Sequence, residues 1–200
     1  MSKRTHELSR KTTETRISMK LNLDGSGLSK INTTIPFMDH MLALFAKHGR
    51  FDLRVNAAGD TKVDDHHLVE DLGICLGQCL INAWSKTKNI RRYGTASVPM
   101  DETLVHAHID VSGRPYLVFN VMFAKAMKHA FDYCLIEDFF RGLTAHGKIT
   151  LHLNLAYGRD SHRDNHHIAE AVFKAFAVAL DHATTVDKRL PGVPSTKGRI

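Results

Sequence analysis

Two stretches decide the fold: DHHLVEDLGICLGQCL at residues 65–80 and NHHIAEAVFKAFAVAL at residues 165–180. Apolar residues recur at helical spacing through both, so each is predicted to be a helix with one buried face. Asp65 and Asn165 are predicted N-caps, because their side chains can accept a backbone N–H of the first turn. Both helices begin with the same HHxxE motif, 100 positions apart, which indicates an internal repeat.

The segments before these helices correspond as well. DHMLALFAKHGRFDLRV at residues 39–55 matches EDFFRGLTAHGKITLHL at residues 137–153, and both are typical of a helix followed by a strand. His48 and its following glycine match His146 and Gly147 at an offset of 98, whereas Gly59 matches Gly158 at 99. The offset between the copies therefore rises from 98 to 100, which means that the second copy contains two additional residues.

Alternating apolar and polar residues predict the strands. These lie at residues 15–23, 51–55, 103–110, 116–121 and 150–155. Each copy therefore combines a sheet with helices, and we predict an α/β (α+β) fold with sheets on one side and helices on the other. We interpret the chain as a single domain of two repeats, about residues 1–95 and 96–190, with a C-terminal PSTKG tail.

The composition narrows the classes of partner. A net charge of +6 is compatible with nucleic acid, a membrane surface or a small anion. The basic residues form no long block and have few aromatics among them, which argues against nucleic acid, whereas scattered Arg and Lys suit a small phosphorylated substrate. No apolar run approaches the roughly 18 residues of a membrane span, and residues 1–20 lack the apolar core of a signal peptide. We expect a cytoplasmic protein.

Two cysteines and two glycines of the first HHxxE helix are predicted to serve in packing. Three cysteines at irregular spacing argue against a disulfide framework. Cys75 and Cys79 could share a metal, but free cysteine is among the most buried residue types, so buried small side chains are favoured. Gly73 and Gly77 are predicted to allow close packing of helices.

The two HHxxE motifs predict metal sites. Residues three and four apart share a helix face, so Glu70 can reach the same region as His66 or His67. Imidazole nitrogen with carboxylate oxygen suits Mn, Fe, Zn or Co better than Mg or Ca. One motif alone could be a polar helix start favoured by the helix dipole. Two copies at equivalent positions predict a dinuclear or paired site, because helix starts do not require histidine pairs.

At these residues the sequence closely resembles the imidazoleglycerol-phosphate dehydratase family. The resemblance covers nearly the whole chain. It rests on RKTTETRI, PFMDHMLALFAKHG, GDTKVDDHHLVEDLGICLGQ, RRYG, PMDET, DVSGRPYL, NHHIAEAVFKAFAVAL and PSTKG, in this order.

The resemblance implies a ribosomal protein S5 domain 2-like fold and two Mn²⁺ ions per active site. Active sites between subunits are also implied, in a large homo-oligomer of about 24 subunits. The implied metal ligands are His40, His66, His67, Glu70, Asp138, His166, His167 and Glu170.

The resemblance also assigns substrate contacts and catalytic residues. The contacts are Glu14, His40, His48, His66, Glu70, Arg92, Arg114, His166, Lys174, Ser195, Thr196 and Lys197. The catalytic residues are Glu14, His40, Glu70 and Glu170, with Glu14 the candidate for proton handling. On its own, a lone glutamate in a polar strand is usually a solvated charge. Arg92, Arg114, Lys197 and Ser195 form the expected phosphate clamp, since Arg grips phosphate in a bidentate way.

The implied reaction is dehydration in histidine biosynthesis. D-erythro-1-(imidazol-4-yl)glycerol 3-phosphate would become 3-(imidazol-4-yl)-2-oxopropyl phosphate, with the substrate bound as imidazolate by the metals. Two other hypotheses are a hydrolase acting through metal-bound hydroxide and a non-catalytic module that binds metal or an anionic polymer. Polymer binding would weaken steeply with salt.

Two features depart from the family. Asp138 aligns with His40 where many members have histidine, and residues 158–165 are about four longer than usual, which adds His162. Three interpretations follow: Asp138 is itself a ligand, His162 replaces it, or the site has lost that ligand and holds one metal weakly. We favour Asp138, because carboxylate oxygen suits Mn and loops generally run over the surface.

Overall fold

The computed structural model describes residues 4–124, 131–158 and 165–198. The first repeat comprises β1 (Thr5–Lys11), β2 (Thr15–Asn22), β3 (Ser29–Asn32), α1 (Pro36–Gly49), β4 (Asp52–Gly59) and α2 (His66–Trp84). The second comprises β5 (Tyr93–Met100), β6 (Thr103–Asp110), β7 (Tyr116–Asn120), α3 (Leu135–Gly147), β8 (Thr150–Tyr157) and α4 (Asn165–Thr184). The identical element order confirms the predicted tandem sheet-plus-helices unit.

Both sheets have the same topology. Their strand orders are β1-β2-β4-β3 and β5-β6-β8-β7, with the last pair of each sheet parallel and the others antiparallel. Alternate residues of β2, from Ile17 to Met19 to Leu21, are buried, as expected for a strand with one covered face. Three edge strands, β1, β3 and β5, were not predicted from the sequence. β3 is four residues long and mostly exposed, while β5 contains Gly94 and Pro99, residue types depleted in strands.

The helices lie between the two sheets. α1 and α2 cover the first sheet, and α3 and α4 cover the second. Across the interface between the repeats, α1 packs against α4 and α2 packs against α3. Each repeat thus has its sheet on one side and its helices on the other, as predicted, and the repeats meet through their helices.

The predicted close-packing glycines lie at the crossing of α2 and α3. A Cβ added at Gly73 would lie 2.1 Å from the carbonyl oxygen of Phe139, and one at Gly77 would lie 2.5 Å from that of Leu143. Only glycine allows backbones to approach this closely. Cys75 and Cys79 are free and buried in the same helix, which confirms their packing role.

The predicted N-caps were wrong in their contacts. Asp65 stands at the N-cap position of α2 but makes no capping hydrogen bond, and the first-turn N–H of His66 is accepted by Asp64 Oδ1 at 2.9 Å. The side chain of Asn165 instead bonds the backbone N–H and C=O of Ala124, both at 2.9 Å. At α2 another side chain, that of Asp64, accepts the first-turn N–H, and at α4 the side chain of Asn165 bonds Ala124.

One of the two additional residues of the second repeat is a β-bulge. Arg16 and Ile17 pair with adjacent residues of β4, but Leu104 pairs with Tyr157 while Val105 pairs with Leu155. Ala156 is therefore extra, which explains the change in offset from 98 to 99. The other lies outside the described residues. Within the described ranges, no helix is long and apolar enough to cross a membrane.

Candidate metal centre and phosphate site

Packing of α1 against α4 brings ligand atoms from both repeats together. His40 Nε2 lies 2.9 Å from Glu170 Oε1, and His166 Nε2 lies 3.0 Å from the same oxygen. The three ligand atoms lie within 4.8 Å of one another. The rings of His40 and His166 stack with their centroids 5.3 Å apart. We call His40, His166 and Glu170 the α1–α4 triad.

Packing of α2 against α3 brings together the corresponding residues, with the HHxxE helix now from the first repeat and its partner from the second. His66 Nδ1 lies 3.5 Å from Asp138 Oδ2, and His66 Nε2 lies 3.8 Å from Glu70 Oε2. We call His66, Glu70 and Asp138 the α2–α3 triad. Its two carboxylates contact opposite nitrogens of one imidazole, so its donors are not aimed at a single point.

Glu170 is the electrostatic centre of the α1–α4 triad. Its residue is only 9% exposed, and its second oxygen, Oε2, accepts a hydrogen bond from Lys174 Nζ at 2.6 Å. Burial raises the pKa of Glu170, but the hydrogen bonds from Lys174 and His40 outweigh it and lower the pKa to about 2. The carboxylate of Glu170 is therefore ionised and suited to a cation. Partial burial and the nearby charge of Lys174 also lower the pKa of His48.

The second histidine of each motif contacts a different set of carboxylates. His67 Nδ1 donates to Asp60 at 3.1 Å, which raises the pKa of His67, and His167 Nδ1 donates to Glu102 at 3.2 Å. Metal-binding histidines commonly donate one ring N–H to a carboxylate and use the other nitrogen as ligand. In both rings Nδ1 is the nitrogen that contacts the carboxylate, so Nε2 would be the ligand atom.

Asp60 and Glu102 were missed by sequence reasoning. Asp60 contacts a histidine seven positions away across a turn, a pairing without a motif. Glu102 had a detectable signal, because it stands 88 positions after Glu14, at the same place before β6 as Glu14 before β2. Extending the repeat alignment to the strands would have found it.

The donor set fits a divalent transition metal. Two imidazole nitrogens and an ionised carboxylate oxygen, within 4.8 Å of one another, are the ligand types of Mn, Fe, Co or Zn sites. Of the eight candidate ligands, six lie in the two triads and two lie beside outer carboxylates. His162, the alternative ligand, lies outside the described residues.

The candidate phosphate residues gather around Asp110. Arg92 Nε and Nη2 donate to its two oxygens at 2.7 and 3.1 Å, and Arg114 Nη2 lies 3.7 Å from one of them. Arg92 Nη1 also donates to the carbonyl of Pro194 at 2.9 Å, which anchors the tail just before Ser195. These contacts use three of the five N–H donors of Arg92, and the side chain of Arg114 remains 66% exposed.

This arginine group and the α1–α4 triad lie at opposite ends of α4. The N–H of Arg92 donates to the carbonyl of Ala183 in the last turn, whereas Glu170 lies in the second turn. Ala183 is thirteen positions after Glu170, and at about 1.5 Å per residue this spans about 20 Å. The two groups of one chain are therefore too far apart to hold the ends of one small substrate.

Comparison with known proteins agrees with the sequence motifs. The family model of imidazoleglycerol-phosphate dehydratase matches residues 33–180. The imidazoleglycerol-phosphate dehydratase of Syntrophus aciditrophicus is 53% identical over 199 residues, covering 99% of both chains. That of Trichlorobacter lovleyi is 54% identical over 196 residues, covering 98% of both.

Solved structures show the same fold. Imidazoleglycerol-phosphate dehydratase from Staphylococcus aureus has a TM-score of 0.80 at 39% identity, covering 92% of this chain and 99% of that one. The Pyrococcus furiosus structure, in complex with (S)-C348, has a TM-score of 0.80 at 34% identity, covering 96% and 100%.

Proposed function

Because this chain belongs to the imidazoleglycerol-phosphate dehydratase family, and is a dehydratase of histidine biosynthesis, we propose that its two triads form a dinuclear metal centre. The observation that carries the proposal is that equivalent helices of the two repeats supply both triads. In each, the HHxxE helix of one repeat meets His40 or Asp138 from the other repeat. His67 and His167 would complete the ligand set.

The proposed reaction converts D-erythro-1-(imidazol-4-yl)glycerol 3-phosphate to 3-(imidazol-4-yl)-2-oxopropyl phosphate. The carbon next to the ring loses its hydroxyl, the neighbouring carbon loses a hydrogen, and the resulting enol becomes the ketone. Two bound Mn²⁺ ions would act as Lewis acids that stabilise the imidazole ring as imidazolate. Water is the second product, and the phosphate is retained.

The residues of this chain have separate tasks in the proposal. Glu14 handles the proton: its side chain is half exposed, and its Oε1 lies 3.9 Å from His67 Nε2, beside a proposed ligand. Lys174 neutralises the second oxygen of Glu170 and holds the carboxylate towards His40 and His166. These contacts leave Glu170 ionised at neutral pH, as a metal ligand requires.

The phosphate is proposed to be bound by Arg114 and Arg92 together with the tail residues Ser195, Thr196 and Lys197. Arg92 fixes the tail through Pro194, and the exposed Arg114 supplies free donors. Since this group lies about 20 Å along α4 from Glu170, one substrate must contact two chains. We propose a homo-oligomer of about 24 subunits with shared sites, in keeping with the family.

The decisive experiment follows the product. The chelated protein should be inactive towards the imidazole substrate, and added Mn²⁺ should restore formation of the ketone with its phosphate intact. Release of inorganic phosphate would indicate a hydrolase instead. Turnover by a preparation verified as metal-free would exclude the dinuclear centre while leaving the dehydratase assignment in place.

A further inference from the structure

Asp71 follows the HHxxE motif of α2 and links the helix to two strands. It is buried, only 7% exposed. Its Oδ1 accepts a hydrogen bond from Arg10 Nε of β1 at 2.9 Å, and its Oδ2 accepts one from the hydroxyl of Thr15 in β2. A buried carboxylate is costly unless it is paired and hydrogen-bonded, and both oxygens of Asp71 are. The helix turn that carries Glu70 is therefore fixed to the first sheet.

The contact with Thr15 continues into the turn before β2. An ionised carboxylate only accepts, so the Thr15 hydroxyl donates to Asp71 and accepts from the hydroxyl of Thr12, 3.2 Å away. Thr12 Oγ1 in turn accepts the backbone N–H groups of Glu14 at 3.1 Å and Thr15 at 2.9 Å. The path of hydrogen bonds from Asp71 thus ends on the backbone that carries Glu14.

A second connection joins the same turn to the metal ligands. The carbonyl of Glu14 accepts the N–H of Asp60 at 3.1 Å, and the carboxylate of Asp60 accepts from His67 Nδ1. Glu14 is therefore held relative to α2 from both sides. Its carboxylate remains half exposed, as a group that meets substrate must be.

The second repeat shows that the fold does not require this network. Thr103 takes the place of Thr15, Ala171 that of Asp71, and Val98 that of the arginine. Thr103 is fully buried, and its hydroxyl has no partner within the described part of the chain. The same strands and helix form there without the carboxylate. The shared architecture therefore does not require the ion pair of the first repeat.

We infer that Asp71 is a positioning residue for Glu14: it fixes the Glu14 turn relative to the ligands of α2 without touching substrate. The inference rests on the proposed role of Glu14 in proton transfer. Displacing a reacting group by about 1 Å can cost about 100-fold in rate, so loss of this link should lower kcat.

The test uses the assembled, Mn²⁺-loaded enzyme and measures kcat, KM and bound Mn²⁺ per subunit. Asp71→Ala should lower kcat by about 10- to 100-fold, while KM and metal content change by less than about 2-fold. Thr15→Val should also lower kcat, whereas Thr15→Ser, which keeps the hydroxyl, should retain the kcat of the unsubstituted enzyme. If Asp71→Ala fails to fold, Asp71→Asn and the Thr15 pair decide.

Two controls separate positioning from general structure. Asp24→Ala breaks the 2.6 Å ion pair with buried Arg4 in the same repeat and should leave kcat unchanged. In a Glu14→Gln background, Asp71→Ala should lower kcat by less than about a further 3-fold, because both changes act on one group.

Several results would overturn the inference. These are a full additional loss in the Glu14→Gln background, metal content that falls in step with kcat, or an equal kcat loss in Asp24→Ala. An unchanged kcat in Glu14→Gln would overturn both the role of Glu14 and this inference. Ketone formation by the unsubstituted enzyme would still support the dehydratase assignment.

Discussion

The two helix crossings at the centre of the molecule are equivalent in topology but built from different side chains. α1 and α4 meet through aromatic rings, with Phe45 stacked on Phe176 at 5.6 Å. α2 and α3 meet backbone to backbone, with Gly73 against the carbonyl of Phe139. Repetition therefore preserved the fold without preserving the packing between helices.

The same difference reaches the ligands. In the α1–α4 triad, two histidines converge on one oxygen of Glu170 at about hydrogen-bond distance. In the α2–α3 triad, Asp138 and Glu70 contact opposite nitrogens of His66 at 3.5 and 3.8 Å. For the proposed metals, one crossing would offer a preorganised ligand set, and the ligand atoms of the other would have to reorient to share an ion. Four pairs of substitutions test this comparison.

The largest difference is expected between Glu170→Gln and Glu70→Gln. Removing even an outer partner of a metal ligand costs about 10- to 100-fold, so loss of the central carboxylate should lower turnover by at least about 100-fold. Glu70→Gln should cost less, because that carboxylate is exposed and its contact is longer. Turnover and bound Mn²⁺ per subunit are measured together. An equal or greater loss at Glu70 would contradict the asymmetry.

The glycine crossing gives the next pair. Gly73→Ala should destabilise the protein by about 3 kcal/mol, because its Cβ would meet a backbone oxygen that cannot move alone. Ala177→Gly, at the position in α4 that corresponds to Gly77, should cost only about 1 kcal/mol, the difference in helix propensity. The free energies of unfolding come from urea titration. Comparable losses would mean that the two crossings are equally tight.

The third pair concerns the aspartate that aligns with His40. Asp138→Ala should lower both metal content and turnover, because it removes a charged ligand beside His66. The affinity for metal should fall by about 10-fold. His162→Ala is the control and should leave bound metal unchanged. Metal analysis of both variants decides, and the reverse pattern would assign the ligand to His162.

Periodicity predicted the helices and all four central strands, and the repeat alignment predicted Asp138 as the counterpart of His40. Periodicity could not predict side-chain contacts between residues that come together only in the folded chain. Asn165 was expected to cap α4 but bonds Ala124, because a tertiary partner competed with the local one. Asp60 and Glu102 became neighbours of the histidines only through the folded turns. The contact of Asp60 carries no spacing signal within one sequence, whereas Glu102 could have been found from its equivalence to Glu14 before β2.

The smallest expected effect lies at the equivalent threonines before β2 and β6. Thr15 donates to Asp71, so Thr15→Val leaves a buried carboxylate short of one hydrogen bond and should cost about 1–3 kcal/mol. Thr103→Val removes a buried hydroxyl that has no partner in the described ranges, so it should change stability by less than about 1 kcal/mol, in either direction. Valine has nearly the shape of threonine, so the two substitutions differ chiefly in the hydrogen bond lost. Urea unfolding of both variants measures the difference. Equal costs at both sites would show that the Thr103 hydroxyl is paired as well, and that the second repeat carries its own counterpart of the Asp71 network.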